Sequence, residues 1–327
     1  MRDDAANKGQ APPPRIGFAG DPHALESVLL PAFARTGAVL RCLACTGARE
    51  AIRIGRRFRV PEATTQFARL VDDPELDAIV ISGVADEAAG MLLPAIRAGK
   101  RILTDSLPLS APAGVPPVDF ERCVGAAIET GALAPAFHRR YAPLVREAVD
   151  WLAGRDDRRT IELTVRRPAA AGAVAREIPH WVDLLVHLFG PRPVVGVHDA
   201  SRPESLAFAL RFADGSCGTV DLVAPARGDF QQERLRIVCG NHAIEVDDFR
   251  RLRPDGPRCD RRKTLRRPDR GHGALAQAFV AALRSGRPLL DSAATREVAR
   301  LSRSACEALG GALKNAESGR VADRADH

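Results

Sequence analysis

RIGFAGDPHALESVLLPAF, residues 15–33, is the stretch of the chain that decides its fold. Six mostly apolar residues lead into a tight turn, and apolar residues at helical spacing follow, so the stretch predicts a strand, a turn and a helix. This order is typical of the first βα unit of a dinucleotide-binding domain. The turn itself reads Gly20-Asp21-Pro22, whereas such units have glycine at the first and third of these positions.

The same alternation of strand and helix continues to about residue 137. Short buried strands are predicted at 15–20, 39–45, 77–82, 101–105 and 132–137. Helices are predicted between them at 24–34, 48–58, 85–98 and 118–130. This alternation predicts an α/β domain at 15–137, a Rossmann-like, doubly wound parallel sheet that follows a disordered leader at 1–14.

The second half of the chain has a different pattern. A helix at 142–154, a strand at 159–167 and a helix ending at Gly190 precede a run of alternating strands. Because the turns ADGS (213–216) and CGN (239–241) favour hairpins, these strands predict a large, mostly antiparallel sheet. We therefore expect an α+β domain at 138–316, with closing helices at 273–285 and 293–314 and a loose tail at 317–327.

Composition and charge exclude several classes of protein. The net charge of +7 is concentrated in residues 250–270, which contain ten basic and three acidic residues. This segment lacks interleaved aromatic side chains and predicts a solvated loop or hairpin rather than a nucleic-acid surface. No apolar run is long enough to span a membrane. The seven scattered cysteines, including Cys42 and Cys45 within one strand, predict buried thiols and a cytoplasmic protein.

Nearly the full length of the chain, from Arg15 to about Gly319, resembles the Gfo/Idh/MocA family of oxidoreductases. The resemblance rests on RIGFAG, DDPELDAIVIS, AIRAGKRIL, AFHRRYAP, HWVDLLVHLFG, LRFADGSCGTVDL and AFVAALRSGRP. Membership implies NAD or NADP bound by the first domain and hydride transfer to or from a sugar-like small molecule. It also implies homo- or hetero-oligomers formed through the C-terminal sheet.

The resemblance assigns cofactor contacts to Gly20, Asp21, Pro22, Cys45, Thr46 and Ser82. Several of these positions depart from the family pattern. Pro22 replaces the second glycine and Leu25 the third small residue, so the turn has one backbone donor fewer and a larger side chain. Cys45 stands where an acidic residue binds the ribose. The Thr-Pro pair that follows the fourth strand is replaced by Gly83 and Val84.

The catalytic positions depart from the family pattern as well. The family lysine after the fifth strand corresponds to Ser106, or to Leu107 in a shifted register, and Asp105 replaces the preceding glutamate. His180 matches the family histidine that exchanges a proton with the substrate, and Asp183 follows one helical turn later. These matches imply catalytic roles for Asp105, Ser106, His180 and Asp183.

Three further positions match places where the family contacts substrate. Arg139 and Tyr141 belong to FHRRYAP, and Arg176 stands at the family aspartate of the Asp-x-x-x-His motif. His180, Asp183 and His187 share one helical face, which is also compatible with a divalent metal, but an ordinary polar face is the favoured interpretation. We expect no metal site.

Three hypotheses about function follow from these residues. The first is a divergent NAD(P)-dependent sugar or polyol dehydrogenase. The second, ranked slightly ahead, is a non-catalytic or partner subunit that has lost standard cofactor binding and lysine-assisted hydride transfer. The third is a non-redox acid–base enzyme that uses His180, Asp183 and Arg176.

Overall fold

The computed structural model describes residues 12–325, with gaps at 84, 106, 168–170, 203–204, 224–231 and 256–261. The chain forms two compact units. The first comprises residues 1–136 and 273–293, and the second comprises residues 137–272 and 294–327. The predicted domains at residues 15–137 and 138–316 remain a prediction.

The first unit contains a six-stranded parallel sheet in the order β3-β2-β1-β4-β5-β6. Its strands are β1 (Arg15–Gly20), β2 (Val39–Ala44), β3 (Glu62–Thr64), β4 (Ala78–Ser82), β5 (Arg101–Thr104) and β6 (Leu133–Pro135). The order reverses between β1 and β4, and in doubly wound sheets ligands bind at the carboxyl ends of the strands beside such a reversal. Gly20 and Ser82 end the two strands there.

Helices connect these strands. The helix that we number α1 consists of Pro22–Ala24, a π-helical turn at Leu25–Leu29, and Leu30–Phe33. It is followed by α2 (Ala48–Phe58), α3 (Ala68–Asp72), α4 (Ala85–Arg97) and α5 (Pro117–Glu129). Phe18 of β1 packs edge to face on Phe33 of α1, with ring centroids 5.3 Å apart. Burying such aromatic rings supplies much of the apolar area that holds a helix on a sheet.

The second unit contains an eight-stranded sheet in the order β14-β13-β12-β11-β7-β10-β9-β8. Its strands are β7 (Arg159–Arg166), β8 (Val194–Asp199), β9 (Ser205–Phe212), β10 (Cys217–Val223), β11 (Gln232–Cys239), β12 (His242–Asp247), β13 (Arg251–Asp255) and β14 (Lys263–Thr264). All neighbours pair antiparallel except β7 and β10, which are parallel. The predicted fold class is confirmed.

The helices of the second half are α6 (Pro143–Leu152), α7 (Ala171–Phe189), α8 (His272–Ser285) and α9 (Ser292–Ala325), and a 3-10 turn covers His138–Tyr141. Arg159 of β7 joins two of them to the sheet. Its guanidinium donates to the carbonyl oxygen of Leu188 at 2.9 Å and to that of Arg155 at 2.8 Å, just after α6. These donors satisfy carbonyls that a helix leaves unbonded at its C-terminal end.

Some local features differ from the sequence prediction. The structure adds the short strand β3 and the short helix α3, and it extends α9 from the predicted end at 314 to Ala325. The basic segment contributes β13 and β14, which pair with each other, so its described part is a hairpin. Cys42 and Cys45 are both buried, and burial raises the pKa of Cys42 to about 12, as expected for inert thiols.

Candidate functional site

The first candidate site is the turn at the carboxyl end of β1, where a dinucleotide-binding unit holds its pyrophosphate. Gly20 has a φ of +126°, and a Cβ atom there would lie 1.3 Å from the carbonyl oxygen of Ser82. The backbone N–H of Asp21 donates to that same oxygen at 3.0 Å. The pairing of β1 with β4 therefore requires glycine at position 20, whether or not a cofactor binds.

Asp21 caps the helix that follows the turn. Its carboxylate accepts a hydrogen bond from the N–H of Ala24 at 2.8 Å, and Pro22 occupies the first position of the helix. The N–H of Leu25 donates to the carbonyl of Asp21. A helix start normally offers four free backbone N–H groups. Here those of Asp21 and Ala24 are used in the hydrogen bonds above and Pro22 has none, so among these contacts only His23 keeps a free N–H.

The third small position of the turn and the ribose position are both occupied by buried side chains. Leu25, at the third small position of the turn, is fully buried in the core of the first unit. Cys45, at the ribose position, is 5% exposed, and its thiol lies 3.8 Å from the carbonyl oxygen of Gly47. Thr46 is exposed beside it. A buried neutral thiol does not replace the carboxylate that accepts hydrogen bonds from ribose hydroxyls.

A polar pair occupies the carboxyl ends of β4 and β5. The hydroxyl of Ser82, which is fully buried, donates to the carboxylate of Asp105. Leu107, the lysine position in the shifted register, is 2% exposed. Ser106 and Val84 lie outside the described residues. The predicted residues Ser82 and Asp105 are thus brought together, and they form a hydrogen-bonded pair.

These residues differ in three respects from those of the usual dinucleotide-binding turn. The negative charge of Asp21 stands where the helix dipole would otherwise favour a phosphate group. Proline removes one N–H donor, and the ribose position lacks a strong acceptor.

The second candidate site is a cluster of three histidines in the second unit. His180 of α7 is 7% exposed, and its ring lies 5.3 Å from that of His138 in the 3-10 turn. The ring of His272, at the start of α8, stacks on His138 with centroids 3.9 Å apart. Phe137 packs edge to face on His180 at 5.8 Å. The predicted residue His180 therefore lies in a cluster whose other imidazoles the sequence analysis did not assign.

Hydrogen bonds fix the tautomer of the central imidazole. Nδ1 of His138 lies 2.8 Å from the carbonyl oxygen of Arg270, so Nδ1 carries the proton and donates. Its Nε2 then accepts from Nη1 of Arg139 at 3.3 Å. Burial, together with the charge of Arg139 nearby, lowers the pKa of His138 and lowers that of His272 to about 3. His138 and His272 are therefore neutral at physiological pH.

Arg139 is the charged centre beneath this cluster. Its side chain is 4% exposed, and it donates two hydrogen bonds of 2.8 Å to the carboxylate of Glu233 and one of 3.0 Å to Glu177. Burial acts to raise the pKa of Glu177, but the charges of Arg139 and of Arg167 outweigh it and lower that pKa to about 2. The guanidinium predicted to contact substrate is thus already engaged by two carboxylates.

Asp183 and Arg140 form a second buried pair. Asp183 is 1% exposed, and both of its oxygens accept hydrogen bonds from the guanidinium of Arg140. Burial raises the pKa of Asp183 to about 6 against the opposing effect of Arg140. Arg140 binds this carboxylate, so Asp183 is paired with a cation of the protein and not with a ligand. Within the described residues, no group of three His, Cys, Asp or Glu side chains is placed to hold a metal ion.

The remaining predicted substrate residues, Tyr141 and Arg176, lie close in sequence to His138 and His180. Tyr141 ends the 3-10 turn and is partly buried, and burial raises the pKa of its hydroxyl. Arg176 is half-buried on α7, one turn before His180. His272, Glu177 and Glu233 were missed because no local motif marks them, since they reach Arg139 and His138 only through tertiary packing.

We expect stability to depend on the neutral histidines of the second unit. In the unfolded chain an imidazole titrates near pH 6.5, whereas the folded pKa is about 3 for His272 and about 4 for His187. As pH falls below roughly 6.5, the unfolded state takes up protons that the folded state does not, so the free energy of unfolding decreases. Asp183, with its raised pKa, opposes this trend with a single group.

Urea unfolding measured at about pH 5, 6 and 7 should therefore show stability rising with pH. His272→Phe should reduce that rise by removing one of the groups responsible. The control is His242→Phe on β12, because the exposed imidazole of His242 is surrounded by water in both states. An unchanged pH dependence in His272→Phe would contradict the assignment.

Comparisons with known proteins place this fold among two-domain dehydrogenases. No family model and no curated protein matches the sequence. Solved structures do match it, at 12–21% sequence identity for those compared. They include proteins described as a putative myo-inositol dehydrogenase and as a dehydrogenase named MviM. The fold expected from the resemblance to the Gfo/Idh/MocA family is confirmed.

Three of these structures illustrate the likeness. A dehydrogenase from Chromobacterium violaceum is 16% identical, with a TM-score of 0.75 and coverage of 94% of this chain and 99% of that one. Levoglucosan dehydrogenase in complex with NADH and levoglucosan is 18% identical, with a TM-score of 0.70 and coverage of 92% and 98%. GenD2 from gentamicin A biosynthesis, in complex with NAD, is 17% identical, with a TM-score of 0.71 and coverage of 92% and 97%.

Within the described part of the chain, no helix has the length and apolar character needed to cross a membrane.

Proposed function

We propose that this chain is a Gfo/Idh/MocA-type homologue of sugar and polyol dehydrogenases that acts as a non-catalytic or partner subunit. The observation that carries the proposal is the capped turn after β1. There the carboxylate of Asp21 binds the helix start, Pro22 lacks an N–H, and Leu25 is fully buried. Nicotinamide-dependent hydride transfer needs the pyrophosphate held at this point, and the residues present oppose that binding.

The proposed partner surface is the polar face of the eight-stranded sheet. Glu162 of β7 lies opposite Arg236 of β11, Arg236 opposite Glu245 of β12, and Glu245 opposite Arg253 of β13. Charge therefore alternates in sign across four neighbouring strands. A row of alternating charges suits a contact with two-fold symmetry. A second copy or a related chain, rotated by 180° about the axis of the contact, places each charge opposite a charge of the other sign.

The cellular setting proposed from the sequence is the cytoplasm. The six cysteines that the structure describes are all free thiols, which supports a reducing compartment. A sugar-like small molecule remains the proposed ligand, and the polar residues around His180 and Tyr141 support it.

A divergent NAD(P)-dependent dehydrogenase is the second candidate. It is favoured by the similar structures that contain NAD or NADH and by the Ser82–Asp105 pair at the carboxyl ends of β4 and β5. Such an enzyme would have to hold the cofactor without the usual helix start. The two candidates differ in a single measurable property, which is affinity for the dinucleotide.

Titration with NADH and NADPH, followed by calorimetry and by nicotinamide fluorescence, separates the two candidates. We expect no binding up to millimolar concentration for the natural chain, because Asp21 already satisfies the helix start. The double variant Asp21→Gly/Pro22→Gly should gain detectable affinity, since it frees the donors and removes the competing charge. Micromolar binding by the natural chain would overturn the non-catalytic assignment.

The same preparation supplies the control and the test of assembly. The variant Glu26→Gln lies on the same helix and removes a carboxylate that binds Arg53 rather than the helix start, so it should gain no affinity. Light scattering on the natural chain, alone and mixed with cell extract fractions that contain a related dehydrogenase, reports the mass of the assembly. A strict monomer in both conditions would contradict the partner role.

A further inference from the structure

A recess on the polar face of the eight-stranded sheet lies beside the row of alternating charges proposed above as the partner surface. It has a volume of about 60 Å³ and is lined by Thr164 and Arg166 of β7 and by Gln232 and Arg234 of β11. In the strand register Thr164 lies opposite Arg234 and Arg166 lies opposite Gln232. Side chains directly opposite on one face of a sheet are neighbours, so the four form a compact square with the arginines at diagonal corners.

All four lining residues offer hydrogen-bond donors: two guanidinium groups, a hydroxyl and an amide. Among the residues that the structure describes, none of those lining the recess is acidic. The nearest carboxylates engage its rim. Asp247 accepts a hydrogen bond of 2.6 Å from Nε2 of Gln232, and Glu245 lies 3.6 Å from Nε of Arg234.

Arg166 is the less neutralised of the two arginines. Its side chain is exposed, and within the described residues it forms no ion pair or hydrogen bond. Two guanidinium groups that line the same recess repel each other unless an anion lies between them. An arginine fork also matches the paired oxygens of a carboxylate or a phosphate better than any neutral ligand.

The size of the recess limits what it holds. Pockets for whole small molecules usually measure ~300–1,000 Å³. A recess of about 60 Å³ is far below that range, so it suits a single small anionic group and not a whole small molecule. A dinucleotide, which carries two phosphates and two nucleosides, is far too large for it.

We propose that this recess binds the phosphate or carboxylate group of a small molecule. Arg166 and Arg234 supply the charge, while Thr164 and Gln232 supply the neutral donors that orient the oxygens. The recess shares its face of the sheet with the proposed partner surface, but it is built from two adjacent strands of one chain, so anion binding is measured separately from assembly and from binding at the Asp21 turn.

Calorimetric titration of the full chain with inorganic phosphate and, separately, with acetate tests the proposal at constant ionic strength. We expect millimolar or tighter binding of at least one anion, and the stronger arm identifies the chemistry of the natural ligand. Arg166→Gln and Arg234→Gln should each weaken that binding by at least about tenfold, because each removes a charge-assisted hydrogen bond. Thr164→Val, which preserves shape, should weaken it by about threefold.

The matched control is Arg211→Gln. Arg211 is exposed on the same sheet but belongs to β9, on the other side of β10 from β7. It should leave anion affinity unchanged, whereas equal weakening by Arg211→Gln would show a general charge effect and overturn the proposal. Absence of binding by the natural chain to both anions would overturn it as well. Circular dichroism of each variant confirms that the fold is retained.

Discussion

Replacement of Arg139 by glutamine should lower the free energy of unfolding by roughly 3 to 5 kcal/mol. Arg139 neutralises Glu233, whose side chain is 10% exposed, and also pairs with Glu177. Glutamine retains some hydrogen bonding but no charge, so Glu233 would keep only the longer contact with Arg270 at 3.7 Å and Glu177 only that with Arg167 at 3.2 Å. Breaking a buried ion pair by removing one partner leaves an uncompensated charge, which is the costly outcome.

The control for Arg139→Gln is Arg300→Gln on α9. Arg300 also donates two hydrogen bonds to one carboxylate, that of Glu297, but both side chains are largely exposed. Loss of this pair should change stability by no more than about 1 kcal/mol. Urea unfolding of both variants gives the comparison. The double variant Arg139→Gln/Glu233→Gln should recover part of the loss, and equal effects of Arg139→Gln and Arg300→Gln would refute the assignment.

Gly20→Ala should be the most disruptive substitution of a single residue in the first unit. A Cβ atom would lie 1.3 Å from the carbonyl oxygen of Ser82, and a φ of +126° is a conformation that residues with a side chain rarely adopt. To make room, β1 must separate from β4 at the centre of the sheet. We expect a loss of more than about 4 kcal/mol in the free energy of unfolding, or failure to accumulate as folded protein.

Gly99→Ala is the matched control for Gly20→Ala. Gly99 has a φ of +70°, but no atom lies within 4 Å of the place a Cβ would take. This variant should lose only about 1 to 2 kcal/mol, the strain of a left-handed conformation alone. Thermal unfolding and the yield of soluble protein measure both effects. If Gly20→Ala is no worse than Gly99→Ala, the close packing of β1 against Ser82 is incorrect.

Much of the fold could be predicted because its signals are local. Strands such as β1 and β4 are short runs of buried apolar residues. The hairpins β9–β10 and β11–β12 are predicted by the residues of their turns. The strand β3 was missed because Glu62–Thr64 is only three residues long and is not fully buried. The parallel pairing of β7 with β10 was missed because no turn residue encodes a contact between strands that are distant in sequence.

The candidate site was harder to predict than the fold, and for a related reason. The positions Gly20, Asp105 and His180 follow from motifs, and the structure places them at strand ends or on α7. The hydrogen bonds that determine their chemistry join distant residues: Arg139 to Glu233 across 94 positions and His138 to Arg270 across 132. Sequence spacing has no information about such pairs, whereas packing in the folded chain brings them within hydrogen-bond distance.

The carboxylate of Asp21 has a consequence for any attempt to restore cofactor binding. It is covalently attached to the helix start that it caps, so its effective concentration there exceeds that of any dissolved anion. A phosphate would have to displace a tethered competitor, and raising the cofactor concentration would help little. On the proposed function, restoring nucleotide binding would take a change at Asp21 together with the replacement Pro22→Gly, because the carboxylate of Asp21 competes with a phosphate for the helix start.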